Sequence, residues 1–184
     1  MALTETPICN FGEKAKKFTL ISTENKTLSL DDLRGDKGTL IMFICNHCPY
    51  VKSIIKDLVE DVNDLKSIGI KSVAIMSNDV ENYPEDSFEN MISFSKKHSF
   101  TFPYLIDKSQ EIARNYGAVC TPDFFGYNSN LELQYRGRLK ELKNLKPINS
   151  KTSDLKLAMQ LISETGKGPI KQDPSMGCNI KCFK

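Results

Sequence analysis

Two thiols three residues apart, Cys45 and Cys48, stand in the run Cys45-Asn46-His47-Cys48-Pro49, directly after the apolar, β-branched stretch from Gly38 to Ile44. A short apolar run bounded by glycine reads as a buried strand, and the segment that Pro49 opens has helical period. The thiol pair therefore falls at a strand-to-helix junction. Thiols there face unpaired backbone N–H groups and the positive end of a helix dipole, both of which favour thiolate over thiol. Cys45 is then the expected nucleophile near neutral pH, and Cys48, one turn on, is placed to attack a mixed disulfide formed at Cys45. The ring of Pro49 fits the first turn of the helix, Asn46 spaces the pair, and His47 adds positive charge beside the sulfurs. Such neighbours bring a cysteine pKa from ~8.5 to between ~3.5 and 7.5.

The elements that must hold this pair follow from the rest of the chain. Its 184 residues suit one domain with core enough to fold without disulfide staples. A net charge of +2 argues for neither a nucleic-acid nor a membrane surface. The opening residues lack an apolar core of signal-peptide length, and no stretch approaches the ~20 apolar residues of a membrane span. A cytoplasmic protein is the expectation, and six cysteines in a reducing compartment point to chemistry rather than stapling.

Residues 1–16 read as a polar arm containing Cys9. Residues 17–31 read as a small hairpin, and Asp31 to Gly35 as a turn. After the central strand, apolar residues at 54, 55, 58, 62, 65 and 68 give one helical stripe ending at Gly69. Ile70 to Met76 is a second strand. Pro84 starts a helix running to about His98, Tyr104 to Ile106 is a strand, and Asp107 to Tyr116 a short helix closed by Gly117. Strands alternating with helices give a parallel sheet with crossovers, hence an α/β layer fold. A hairpin of Asp123 to Tyr127 with Leu131 to Tyr135 adds antiparallel strands and makes the sheet mixed. A last amphipathic helix covers Thr152 to Glu164, and residues 167–184 form a tail with Cys178 and Cys182.

A Cys-x-x-Cys at the first strand-to-helix junction of a β-α-β-α-β-β-α order resembles the thioredoxin superfamily. CNHCPYV, SNDVENYPEDSFENM, FPYLID, YGAVCTPDFF, YRGRL and PSMGCNIK, in that order, resemble the redoxin-domain, peroxiredoxin-like (AhpC/TSA) group within it. The resemblance implies a thioredoxin-like domain over 17–166, with a central mixed sheet flanked by helices, an N-terminal extension and a C-terminal tail. It makes Pro122 the cis-proline that faces the Cys-x-x-Cys, places Cys120 and Thr121 beside Cys45, and puts Tyr50 and Val51 on the flank of the site. The backbone around Thr121 and Pro122 then docks the substrate by strand-like hydrogen bonds.

The activity so implied is thiol–disulfide exchange on a disulfide-containing protein or a small thiol. No bound cofactor is needed, and a thioredoxin or glutathione system is the redox partner. Asn-His between the cysteines, where thioredoxin has Gly-Pro, suggests a more oxidising potential than thioredoxin's ~−270 mV.

The peroxidase alternative departs from the residues. Peroxiredoxins show Pro-x-x-x-Thr-x-x-Cys, and counting back from Cys48 puts Cys45 at the threonine and Ile41 at the proline. Arg136 and Arg138 are the candidates for the arginine such a site requires. Zinc or copper binding by Cys45, Cys48, His47, Cys178 and Cys182 is the third reading, although metal knuckles sit on loops rather than at a helix start. Cys120 reads equally as a small buried hydrophobe or as a third redox thiol. Cys178 is an accessory candidate, Cys9 and Cys182 are bystanders, and His98 is a helix-end residue. Glu13 or Asp107 could carry protons to Cys48, and the pair Glu85 and Asp86 reads as helix-start charge.

Overall fold

The structure, a computed structural model, describes residues 3–148 and 152–183. A seven-stranded mixed sheet forms the body. Its strands are β2 (Thr19–Ser22), β3 (Thr27–Ser29), β4 (Gly38–Phe43), β5 (Ile70–Met76), β6 (Tyr104–Ile106), β8 (Asp123–Asn128) and β9 (Leu133–Tyr135), in the order β3-β2-β6-β5-β4-β8-β9. β4 runs parallel to β5 and antiparallel to β8. Every residue of β4 is buried, which is why it reads as one continuous apolar run rather than an alternating strand.

The helices are α1 (Leu30–Leu33), α2 (Pro49–Ser67), α3 (Phe88–Lys97), α4 (Glu111–Tyr116) and α5 (Asp154–Thr165). α2 lays Val51, Ile54, Ile55, Leu58, Val62 and Leu65 into the core cluster that also holds Leu40, Met42, Met91, Leu155 and Ile162. The expected α/β arrangement of a mixed sheet flanked by helices is therefore present. A two-residue hairpin, β10 (Leu142–Lys143) with β11 (Lys146–Pro147), lies in the polar loop before α5.

Local chemistry moved several boundaries. Ser29 and Asp32 form a capping box, so the expected turn at 31–35 opens as a helical turn. The helix expected from Pro84 to His98 is a 3-10 turn, Pro84–Asp86, broken at Ser87, whose hydroxyl accepts from Asn90 N–H and starts α3 afresh. Gly69, at φ +87°, follows the Ile68 cap of α2 and lies in the left-handed region that favours glycine.

The larger departure lies at the ends of the chain. Within the expected arm, Leu3–Glu5 forms β1, and within the expected tail Met176–Asn179 forms β12. These join β7 (Cys120–Thr121) in a second sheet of order β1-β12-β7. No helix of the described residues is long and apolar enough to cross a membrane.

Candidate redox site

β4 leads into the Cys45–Cys48 loop, and the helix then begins at Pro49 with Cys48 as its N-cap. The cap position thus falls to the second thiol, while Cys45 lies outside the helix. Both are buried, Cys45 at 1% exposure and Cys48 at 0%. The Thr121–Pro122 bond is cis and borders the pair: Cys45 Sγ lies 3.3 Å from Thr121 Oγ1, and Cys48 Sγ lies 3.1 Å from the Thr121 carbonyl oxygen.

The two thiols sit in different electrostatic surroundings. The neighbouring Cys45 thiol, followed by the backbone N–H groups of Val51 and Cys178 and the Thr121 side chain, outweighs burial to bring Cys48 down to about 5. Val51 N–H makes no full cap hydrogen bond to the sulfur, so it acts as a nearby dipole. The neighbouring Cys48 sulfur, then burial, then the Asp86 carboxylate all push Cys45 upward. In the protonated pair Cys48 donates to the Thr121 carbonyl.

Asp86 is the residue that sequence reasoning missed. It is fully buried; one oxygen accepts from Asn46 N–H at 2.7 Å and His47 N–H at 3.3 Å, and the other accepts from Asn78 Nδ2 at 2.8 Å and lies 2.7 Å from His47 Nδ1. Asn46 also donates to the Glu85 carbonyl and accepts from the Tyr104 hydroxyl. One carboxylate therefore pins the loop between the thiols. Its place behind Pro84 resembles ordinary helix-start charge, and no pattern in the sequence separates the two roles.

His47 stacks on Tyr83 and spends its charge on Asp86 rather than on the sulfurs. Its hydrogen bond to Asp86 is the largest reason its pKa is raised above 6.5. Burial raises Asp86, but bonds from His47 and Asn78 outweigh it and leave that carboxyl below its ordinary value. The raised His47 stabilises the fold below the ordinary histidine value, and that contribution fades as pH climbs through the raised one. The lowered Asp86 contributes above the ordinary carboxyl value and fades as pH falls through the lowered one. We expect the imidazole proton resonances of His47 to titrate above 6.5 in the native protein and to return toward it in Asp86→Asn, and an unshifted midpoint in that variant would contradict the pairing.

The remaining candidates divide. Cys178, on β12 opposite Thr121, brings its thiol to Cys48, and burial followed by that contact raises it to about 11. Cys120 is fully buried and points to the Pro122 carbonyl, with burial pushing its thiol far up, as for a small core residue. Cys182 is exposed, and Cys9 packs at the Gln172 and Arg136 end of the molecule. Asp107 is spent on Ser77, Ser109 and the start of α4, and Glu13 on Asn10 and Lys16, so neither serves the thiols. Tyr50, Pro122 and Met176 share the wall of a cavity of about 490 Å³ beside the pair.

Among the described residues the one trio with metal-capable atoms all within 4.8 Å is Cys45, His47 and Asp86. Its carboxylate and imidazole are already closed on each other and on Asn78, and no such group includes Cys178 or Cys182. Arg136 is locked on Asp123, the Gly117 carbonyl and the Phe125 ring, and Arg138 on Asp154 and Asp173. Both candidate arginines are thus committed to carboxylates other than a peroxide site.

A family model described as the AhpC/TSA family matches residues 11–142. An uncharacterised conserved protein from Geobacillus kaustophilus, solved by crystallography, has a TM-score of 0.94 and 40% identity, covering 100% of this chain and 97% of that one. A Coxiella burnetii protein carrying the peroxiredoxin name bcp is 28% identical over 115 residues, 62% of this chain and 71% of that one. The thiol-disulfide oxidoreductase ResA of Bacillus thuringiensis is 25% identical over 114 residues, 62% of this chain and 61% of that one.

Proposed function

The chain belongs to the AhpC/TSA family, and we propose that within it the protein is a dithiol oxidoreductase in which Cys48 carries the thiolate and Cys45 closes the disulfide on it. Its fold is thioredoxin-like, and its relatives support oxidoreductase chemistry on thiols or disulfides. The observation that carries the reading is the pair of buried sulfurs at the start of α2, with Thr121 against both.

In the forward step the Cys48 thiolate attacks a substrate disulfide and releases one thiolate. Cys45 then attacks the Cys48 sulfur, the Cys45–Cys48 bond forms, and the second substrate thiolate leaves with the Cys45 proton. The substrate disulfide is reduced and the dithiol oxidised. A thioredoxin or glutathione system returns the electrons. Peroxide reduction is the weaker reading, because Cys45 stands where a peroxidase has threonine and both candidate arginines are held elsewhere.

A thiolate held about two units below neutrality stabilises the reduced form by ~30 mV per unit, and thioredoxin's thiolate, near ~7, gains little of this. The expected potential is therefore ~40–60 mV above thioredoxin's ~−270 mV. Titration in glutathione buffers, with thiols mapped by mass spectrometry and peroxide consumption followed in parallel, tests it. A potential at or below that of thioredoxin overturns the thiolate assignment. Rapid peroxide loss with sulfenic acid on Cys48 moves the protein to the peroxidases.

A further inference from the structure

The backbone edge at Thr121, where substrate docking was expected, is already occupied by the chain itself. β12 pairs antiparallel with β7, setting Cys178 opposite Thr121 and Asn179 opposite Cys120. The approach requires glycine: a Cβ on Gly177 would stand 2.0 Å from the Thr121 carbonyl oxygen and 3.1 Å from Pro122 N. Ser175 Oγ donates to the Pro122 carbonyl at 2.7 Å, and Thr6 N–H donates to the Ser175 carbonyl.

Beyond the strand, Lys181 N–H donates to Asn78 Oδ1, and the same Asn78 donates to Asp86. One asparagine thus ties the tail to the carboxylate that pins the Cys45–Cys48 loop. The strand lies as a docked disulfide substrate would lie, with its own cysteine against Cys48.

Building on the dithiol reading above, we propose that β12 is a tethered pseudo-substrate and that Cys178 is a third exchanging thiol, so that Cys48 forms a disulfide with either Cys45 or Cys178. Starting from the Cys45–Cys48 disulfide, the Cys178 sulfur attacks Cys48. The Cys48–Cys178 bond forms, the Cys45–Cys48 bond breaks, and Cys45 leaves as a thiolate that takes the proton Cys178 gives up. One disulfide replaces another with no net gain or loss of electrons. The oxidising equivalent enters only through the substrate disulfide of the forward step. The product fastens the tail covalently over the docking edge that hydrogen bonds alone cover in the reduced protein, so oxidation locks the tail and reduction leaves it able to lift.

The test is disulfide mapping of the full-length protein equilibrated with oxidised and reduced glutathione, acid-quenched, alkylated and cut after lysine. Cys45 and Cys48 fall in one peptide, residues 38–52, and Cys178 in another, residues 172–181. The Cys45–Cys48 bond is therefore internal to a peptide, whereas the Cys48–Cys178 bond joins two.

The native protein is expected to yield both forms, and Cys45→Ser the joined peptides alone, from a species that runs as a monomer without reductant. Cys178→Ser is expected to lose the joined form while keeping the internal bond, a result independent of whether Cys45→Ser folds. Glutathione on Cys48 with a freely alkylated Cys178 in Cys45→Ser, and no joined peptides in the native protein, overturns the inference while leaving the dithiol reading intact. Joined peptides found only in a disulfide-linked dimer overturn its intramolecular form. Absence of any Cys45–Cys48 bond across the buffer range defeats the dithiol reading itself.

Discussion

Replacing Cys48 by alanine is expected to strip the reduced protein of the thiolate it carries at pH 7, whereas Cys45→Ala leaves that thiolate in place with its titration moved upward. With Cys48 at about 5, nearly all of it is ionised at neutral pH. An ordinary thiol near ~8.5 is ionised to only about 3%, and Cys45, raised by burial and by Asp86, falls below that once alone. Ultraviolet thiolate absorbance at pH 7 should therefore drop about 30-fold or more in Cys48→Ala. In Cys45→Ala the neighbour that lowers Cys48 most is gone, but Val51 N–H, Cys178 N–H and Thr121 remain.

Disulfide turnover by the Cys45–Cys48 pair is lost in both variants, so the spectroscopic difference identifies the charged sulfur. A thiolate that persists in Cys48→Ala and vanishes in Cys45→Ala would restore Cys45 as the charged nucleophile. The low value speeds attack less than it improves Cys48 as a leaving group, since nucleophilicity falls with pKa. It also couples to stability. A thiol depressed in the fold contributes above its unfolded value, and that contribution drains away as pH falls through about 5, so the reduced protein should melt more easily in acid.

The chain order shows how far residues alone carry such a site. The burial of β4 and the start of α2 were legible because an apolar run ending in Cys-Asn-His-Cys-Pro admits few other readings. The contacts that each sulfur makes with Thr121 were not legible, because they depend on a segment more than 70 residues downstream. Asp86 was hidden for a similar reason. Its role arises from the fold bringing a 3-10 turn 40 residues downstream against the Asn46 amide, and sequence spacing carries no signal of that contact.

The second sheet was hidden more completely. β1 and β12 are three and four residues long and come from opposite ends of the chain, so neither has a period to detect. Only the pairing of β1 with β12, and of β12 with β7, gives them structure, and that pairing converts an apparently open site into a buried one.

Gly177→Ala should reopen it. The added methyl would stand inside the contact distance of the Thr121 carbonyl and of Pro122 N, and these are backbone atoms that no rotamer change can withdraw. Overpacking of this kind costs about 1–3 kcal/mol, and if β12 yields rather than β7, the fraction of molecules with the strand lifted rises roughly 5- to 150-fold. β7 is the firmer partner, since it continues into β8, which is paired on both sides within the main sheet. Alkylation of Cys45 and Cys48 in native buffer is therefore expected to quicken about tenfold or more, with loss of hydrogen-exchange protection confined to Thr6, Thr121 and the amides of 176–181. The main sheet, whose β4–β5 and β4–β8 ladders lie away from the substitution, should keep its protection. If the strand loosens by exchange and the thiols gain no reactivity, β12 is not what covers them, and access to the pair is set instead by the Asp86-pinned loop. If both change together, closure of the site is a property of the tail, and the rate at which the tail lifts limits how fast any disulfide larger than the cavity beside Tyr50 and Pro122 can reach Cys48.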